Sequence, residues 1–256
     1  MIIKKDYKFT SVVFMAFFIF LMAGWLTLIS TFQFPDILRE SVMERFTLFQ
    51  ENKDIIVPAY YIMSLTSILQ VFMAVSMYHL TKKGKFIDIV SLTAGVLSGV
   101  FQILGFFRWV ILIPMLSDAL NANEISSDII FFFEKFANTY LGMTVGEHLR
   151  SFFTGLWVIS LGIILINNSS FDKKLSILGL VSGVAVLAQS FETVSSSFSF
   201  LGEITAPLWG LYLVWVLIMS ITLFAKKDDS SLTKVHWATW IIGLIIYLAN
   251  VIPSFM

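Results

Sequence analysis

The chain has 256 residues, 57% of them hydrophobic and 13% charged, with a formal net charge of zero at pH 7 and no cysteine. A mean hydropathy of +0.86 lies far from that of a soluble globular domain. The charge balance leaves no basic tail for nucleic acid, and the lack of cysteine removes disulfides, thiol nucleophiles and cysteine-based metal sites.

Lys4, Lys5 and Lys8 precede an apolar run from about Thr10 to Thr31, as in a secretory signal. The run exceeds the roughly 7 to 15 residues of a signal core and no small-x-small cleavage site follows, so it reads as a retained transmembrane helix. Counting runs of about 20 apolar residues predicts seven spans, approximately 9–31, 56–79, 86–113, 141–166, 175–198, 206–225 and 236–254. The fold class is all-α, a polytopic transmembrane helical bundle in one domain. Between the first two spans, "FPDILRESVMERFTLFQ" opens with Pro35 and Asp36 and spaces Leu38, Val42, Phe46 and Phe49 near helical intervals. It predicts an amphipathic helix over 35–50, lying on the outer interface or capping the bundle. The segment 125–140, "ISSDIIFFFEKFANTY", predicts a second such helix or an extension of the fourth span. Pro58 and Pro207 are expected in the first turns of spans two and six.

Lysine and arginine in short connections set orientation. The ends assigned to the inside carry Lys4, Lys5, Lys8, Lys82, Lys83, Lys85, Lys173, Lys174, Lys226, Lys227 and Lys234, eleven of the seventeen basic residues. The opposite ends hold Arg39, Arg45, Lys53 and Lys135 against ten acids between Asp36 and Glu203. The N-terminus is expected inside and, with seven spans, the C-terminus outside. Rhodopsins and G-protein-coupled receptors have the reverse orientation, and the seventh span has no lysine for a retinal Schiff base.

A weak internal repeat lays Asp88–Arg108 on Asp172–Glu192 with six identities in 21 positions. It would relate spans two and three to spans four and five as parallel hairpins. Each copy has a G-x-x-x-G, Gly95 with Gly99 and Gly179 with Gly183, expected to serve close packing within the molecule rather than dimerisation.

The stretch "TVGEHLRSFFTGLW" puts Glu147, His148 and Arg150 inside span four, 16 to 19 residues before Ile166. At roughly 1.5 Å per residue they fall in the outer part of a core about 30 Å thick. Arg108 in span three and Glu192 in span five reach the same depth. Each such charge costs on the order of 2.5 to 3.5 kcal/mol at the bilayer centre, so the groups should face one another. Glu147, Arg150, Ser151 and Thr154 share one helical face while His148 points about 100° away. Glu192, Ser195, Ser196 and Ser199 form a second stripe, and Gln102 and Gln189 extend the polarity inward. Two readings compete. One is a helix lock with pairs such as Arg108 with Glu147 and Arg150 with Glu192. The other is a ligand site in which Arg108, Glu147, Arg150 and Glu192 hold a polar head, with His148 and Gln189 as further contacts and Trp109 or Trp157 as apolar wall.

His79 and His236 lie at inner helix ends. There is no H-E-x-x-H, phosphate loop or dinucleotide fingerprint, so no metal or cofactor is expected. "SSSFS", Ser195 to Ser199, has no nucleophile-elbow pattern. "VGEHLRSFFTGLW", with "FFRW" before it and "APLWGLYLVWVLIMS" after it, resembles an uncharacterised bacterial integral-membrane family, domain of unknown function 4386, over roughly residues 10 to 225. The resemblance implies a multi-helix bundle in the bacterial cytoplasmic membrane, with the last helix an addition to a six-span pattern. It implies no activity, cofactor or catalytic residue. The expected function is binding of a small amphipathic or lipid-like molecule from the outer side, as sensor, carrier or accessory subunit. The expected partners are membrane lipid, that ligand, or a membrane protein, and no nucleic acid. The alternatives are a membrane-embedded lipid hydrolase or transferase with Glu147 or His148 as general base, and a purely structural, partner-binding subunit.

Overall fold

The computed structural model describes residues 4–226 and 234–251. Helix α1 covers Lys4–Phe32 and α2 covers Val42–Thr81; α3, Phe86–Phe107, runs through a π-helical segment Arg108–Leu112 into α4, Ile113–Asn121. Helix α5, Ser127–Phe136, runs through a second π-helical segment, Ala137–Leu149, into α6, Arg150–Ile166. Then come α7, Lys173–Gln189, a 3-10 turn Ser190–Thr193, the short α8, Phe200–Glu203, then α9, Thr205–Ala225, and α10, Trp237–Val251. No β-strand occurs among the described residues. Six continuous helical rods are long and apolar enough to cross a membrane: Lys4–Phe32, Val42–Thr81, Phe86–Asn121, Ser127–Ile166, Lys173–Thr193 and Thr205–Ala225. The protein is therefore a multi-pass helical membrane protein. Where a seventh span is expected there is α10, an apolar helix whose 15 residues rise about 22 Å, short of a core of about 30 Å. Residues 252–254 and Lys227 lie outside the described residues.

The six rods form a closed ring in which each packs on the next in sequence and α1 returns to α9, with α10 against the outside of α9. Neighbours run antiparallel: Gly105 meets Gly146 and Gly155 meets Gly183, while Ser98 and Thr154 hydroxyls lie 2.6 Å apart. The ring closes where the Ser11 hydroxyl donates to the Ser220 carbonyl and the Ser220 hydroxyl to the Ser11 carbonyl, each at 2.8 Å. One end of the bundle is rich in lysine, and there Lys226 donates to the Ser170 carbonyl at 3.0 Å and His79 approaches Asp6 at 3.5 Å. The other end carries the acidic connections. The tight α2–α3 link turns through Gly84, whose φ of +74° is a left-handed conformation that glycine adopts without strain.

Two local expectations are corrected. The helix expected over 35–50 starts only at Val42, because Asp36–Arg39 is a 3-10 turn and the Ser41–Glu44 capping box follows it. It joins the second span through a kink at Asn52, whose backbone is non-helical. Pro58 consequently lies inside α2 rather than in its first turn, whereas Pro207 is in the first turn of α9. The segment 125–140 takes the second of its two expected forms, an extension of the fourth span.

The π-helical segments have local causes. Pro114 lacks a backbone donor and its ring crowds the carbonyl four residues back, and the turn before it widens so that the Ile113 amide bonds to the Arg108 carbonyl. In the second segment the Arg150 amide bonds to the Val145 carbonyl. Gly105 and Gly146 touch backbone to backbone here: a Cβ on Gly105 would lie 2.6 Å from the Gly146 Cα. The two G-x-x-x-G pairs are spent inside the molecule, Gly95 on Ala74 and Trp157, Gly99 on the Ser67 carbonyl, Gly179 on Trp215, Gly183 on Ile159. Overpacking such contacts costs about 1 to 3 kcal/mol. Gly105→Val and Gly146→Val are each expected to lower the thermal unfolding midpoint in detergent, while Gly84→Asn, at an open turn, leaves it within a degree or two.

Candidate functional site

The connection from α1 to α2 dips back into the bundle at its acidic end. Ile37 and Leu38 are buried, and the Leu38 carbonyl accepts from Asn138 Nδ2 at 2.7 Å. This anchoring aims Arg39 inward. Its Nη2 lies 2.6 Å from Glu192 Oε1 and 3.2 Å from Glu147 Oε2, and its Nε adds a bond to Glu192 at 3.2 Å. Gln189 Nε2 donates to the other Glu192 oxygen at 2.6 Å. Burial works against the charge on Arg39, but Glu147 and then Glu192 outweigh it and hold the guanidinium above its ordinary pKa.

The expected pairs of Arg108 with Glu147 and of Arg150 with Glu192 do not form. Helix α7 stops at Gln189, and the 3-10 turn that follows carries Glu192 to Arg39, which takes both carboxylates. The stripe from Glu192 to Ser199 is not helical either. Ser195 caps the turn Ser196–Phe198, and Ser195, Ser196, Ser197 and Ser199 are exposed.

Arg108 and Arg150 are thus buried without a carboxylate, at 6% and 8% exposure. Arg108 donates to the Gly105 carbonyl at 2.5 Å and to Asn138 Oδ1 at 3.2 Å. Its slot exists because residue 142 is glycine: a Cβ there would lie 2.5 Å from Arg108 Nη2. The Arg150 guanidinium carbon lies 4.0 Å from the Trp209 ring centroid and 5.4 Å from that of Phe106. Nε of both arginines lacks a hydrogen-bond partner. Burying an unpartnered charged donor costs free energy, which stacking on aromatic faces only partly offsets.

His148 Nδ1 donates to the Ser190 carbonyl, joining the π-helical segment to the end of α7. Gln102 is spent further in, donating to Thr66 Oγ1 at 2.6 Å. Trp109 stacks on Tyr60 with centroids 5.3 Å apart and lies 5.5 Å from the Arg108 guanidinium, whereas Trp157 packs on Trp215 away from the cluster. The aromatic wall at Arg150 is Trp209. Among the described residues no three of His, Asp or Glu gather as a metal site would require, and no hydroxyl bonds to Glu147 or to the His148 ring.

Three spaces adjoin these groups. A cleft of about 610 Å³, open at the acidic end, is lined by Asp36, Arg39, Thr139, Met143, Glu192 and Ser199 among others. Behind it a chamber of about 40 Å³ is bordered by Trp25, Arg39, Glu147, Arg150, Ser151, Gln189 and Trp209. A second, of about 30 Å³, lies among Tyr60, Arg108, Gly142, Glu147 and Arg150. Arg39 borders both the cleft and the first chamber, and Glu147 and Arg150 border both chambers. All six rods contribute to the two chambers.

Sequence reasoning missed Arg39, Trp209, Asn138 and the pair of Arg45 with Glu134. That pair is buried, with Nε–Oε1 at 2.8 Å and Nη2–Oε2 at 2.6 Å. A signal for it was present: Arg39, Arg45, Arg108 and Arg150 are the chain's four arginines, and all stand at this end, whereas lysine dominates the other. Arginine's planar fork suits buried ion pairs where lysine's point charge does not. Removing one partner of such a pair costs about 3 to 5 kcal/mol, while replacing both by apolar residues is nearly neutral. Arg45→Met alone is expected to unfold the protein at markedly lower temperature, and Arg45→Met with Glu134→Leu to recover most of the loss, as read by thermal melting in detergent.

No curated protein matches the chain, and no solved structure matches it. One family model does, a domain of unknown function (DUF4386), over residues 9–227, which takes in all six rods but for the first residues of α1. The chain belongs to the DUF4386 family.

Proposed function

We propose that the protein binds a small amphipathic or lipid-like molecule at its acidic end, as a sensor, carrier or accessory subunit. The ligand's polar head would be held by Arg108, Glu147, Arg150 and Glu192 with His148 and Gln189 close by, and its tail would leave along the cleft. The observation that carries this reading is the pair of buried guanidiniums, Arg108 and Arg150, bordering small chambers directly behind an open cleft. Ionisable groups inside a membrane are functional candidates by default, and a cleft of this size falls in the range of small-molecule sites. The engagement of His148 with a backbone carbonyl, and the lack of a hydroxyl at Glu147, favour binding over lipid hydrolysis or transfer.

The lysine-rich end is assigned to the cytoplasm of a bacterial plasma membrane by the positive-inside rule, so that the cleft faces outward. In this orientation α10 is a seventh, short crossing that returns the chain to the outside. A second reading, a structural subunit whose charges only lock helices, draws support from Arg39, which satisfies Glu147 and Glu192 together.

Native mass spectrometry with lipid extraction separates the two readings, run on wild type beside Ser199→Trp, which narrows the cleft, and Arg108→Gln. The expected result is a stoichiometric companion in wild type, reduced severalfold in both variants. Wild type without a companion, together with a lower melting temperature for Arg108→Gln, would overturn ligand binding in favour of the lock.

A further inference from the structure

The chamber beside Arg150 is specific about what it can receive. The guanidinium carbon lies 4.0 Å from the Trp209 ring centroid, so that side is covered and the N–H donors away from the ring are what remains. Nε is unpartnered, and none of the described residues accepts a hydrogen bond from the guanidinium. An edge-on arginine fork matches two coplanar oxygens. The Ser151 side chain borders the same chamber and offers a third donor. Gln189 has its Nε2 committed to Glu192, whereas its buried Oε1 has no partner.

Charge points to the same occupant. Arg39, Arg108 and Arg150 line the two chambers together with Glu147, and Arg39 takes up Glu147 and Glu192. Arg108 and Arg150 are left without a carboxylate of their own in a low-dielectric setting, which favours an anion there. Volume narrows the choice. About 40 Å³ is room for little more than a water molecule or two, enough for the two oxygens of a carboxylate but not for a tetrahedral phosphate with its substituents.

We propose that the chamber formed by Arg150, Ser151 and Trp209 is a receptor for the carboxylate of a monocarboxylic amphiphile such as a fatty acid. The carboxylate bonds to the edge of Arg150 and its alkyl chain leaves past Arg39 into the open cleft. This rests on the amphiphile-binding reading above and adds the head-group class to it. Arg39 borders both the chamber and the cleft.

The test is equilibrium binding to the protein in phosphatidylcholine nanodiscs in sulfate buffer, with empty nanodiscs as blank. The probes are dodecanoate, dodecanol, dodecyl phosphate and butanoate. The expected result is dodecanoate binding at least tenfold tighter than dodecanol or dodecyl phosphate, with that preference lost in Arg150→Gln and in Arg150→Lys, which keeps the charge but not the fork. Equal binding of all three long-chain probes overturns the carboxylate site and leaves amphiphile binding standing. Butanoate binding as tightly as dodecanoate upholds the carboxylate site and overturns the amphiphile reading. Chloride displacing dodecanoate at equal concentration overturns the carboxylate site in favour of a simple halide site. Binding of none of the probes overturns both.

Discussion

The acidic end of this bundle is organised by one guanidinium. Arg39 comes from a connection, not from a span, yet it supplies the counter-charge for Glu147 in the fourth rod and Glu192 at the end of the fifth. Without it two carboxylates would face each other, and like charges at close range in a poorly solvated place oppose joint ionisation. The same contact fixes the path of residues 33–41. That segment brings Phe34 and Pro35 over the chambers and positions the Leu38 carbonyl that orients Asn138, and through Asn138 the Arg108 guanidinium. Loop, π-helical segment and the buried Arg108 are one connected polar unit.

Much of the fold was legible in the sequence because hydropathy reports directly on what a bilayer demands. Six rods lie where long apolar runs predicted them, and the paired glycines at 95, 99, 179 and 183 were correctly assigned to internal contacts. What escaped is what a 3.6-residue period cannot express. The register around Arg108 and Glu147 is set by π-helical turns, whose i to i+5 bonding shifts every later side chain relative to an ideal α-helix. The partners of Glu147 and Glu192 escaped as well. Depth counting along straight helices looks for partners within the spans, whereas the cation arrives from outside them. At α7 the helix ends three residues before Glu192, so a stripe drawn through Ser195 and Ser199 had no helix to lie on.

The segregation of basic residue types carries its own physical content. Lysine at one end sits among exposed helix termini and connections, where a flexible, strongly hydrated ammonium is at ease. Arginine at the other end is placed where water is scarce and geometry has to substitute for solvation: paired with Glu134, bridging two glutamates, slotted against Gly142, or lying over Trp209. Lys226 is the instructive exception, a lysine fully buried at the lysine-rich end, with its ammonium on the Ser170 carbonyl and near the Tyr7 and Phe171 rings.

The closure of the ring by its sixth rod also has a consequence for how the protein is made. A membrane protein is delivered to the bilayer from its N-terminal end, and α9 is the last of the six ring members to emerge. It is also the most enclosed of the six, with 72% of its apolar window buried, and it brings both the Trp209 that covers Arg150 and the Ser220 that clasps α1. The burial of Arg150 and the closure of the ring on α1 thus both depend on the rod that comes latest in sequence among the six.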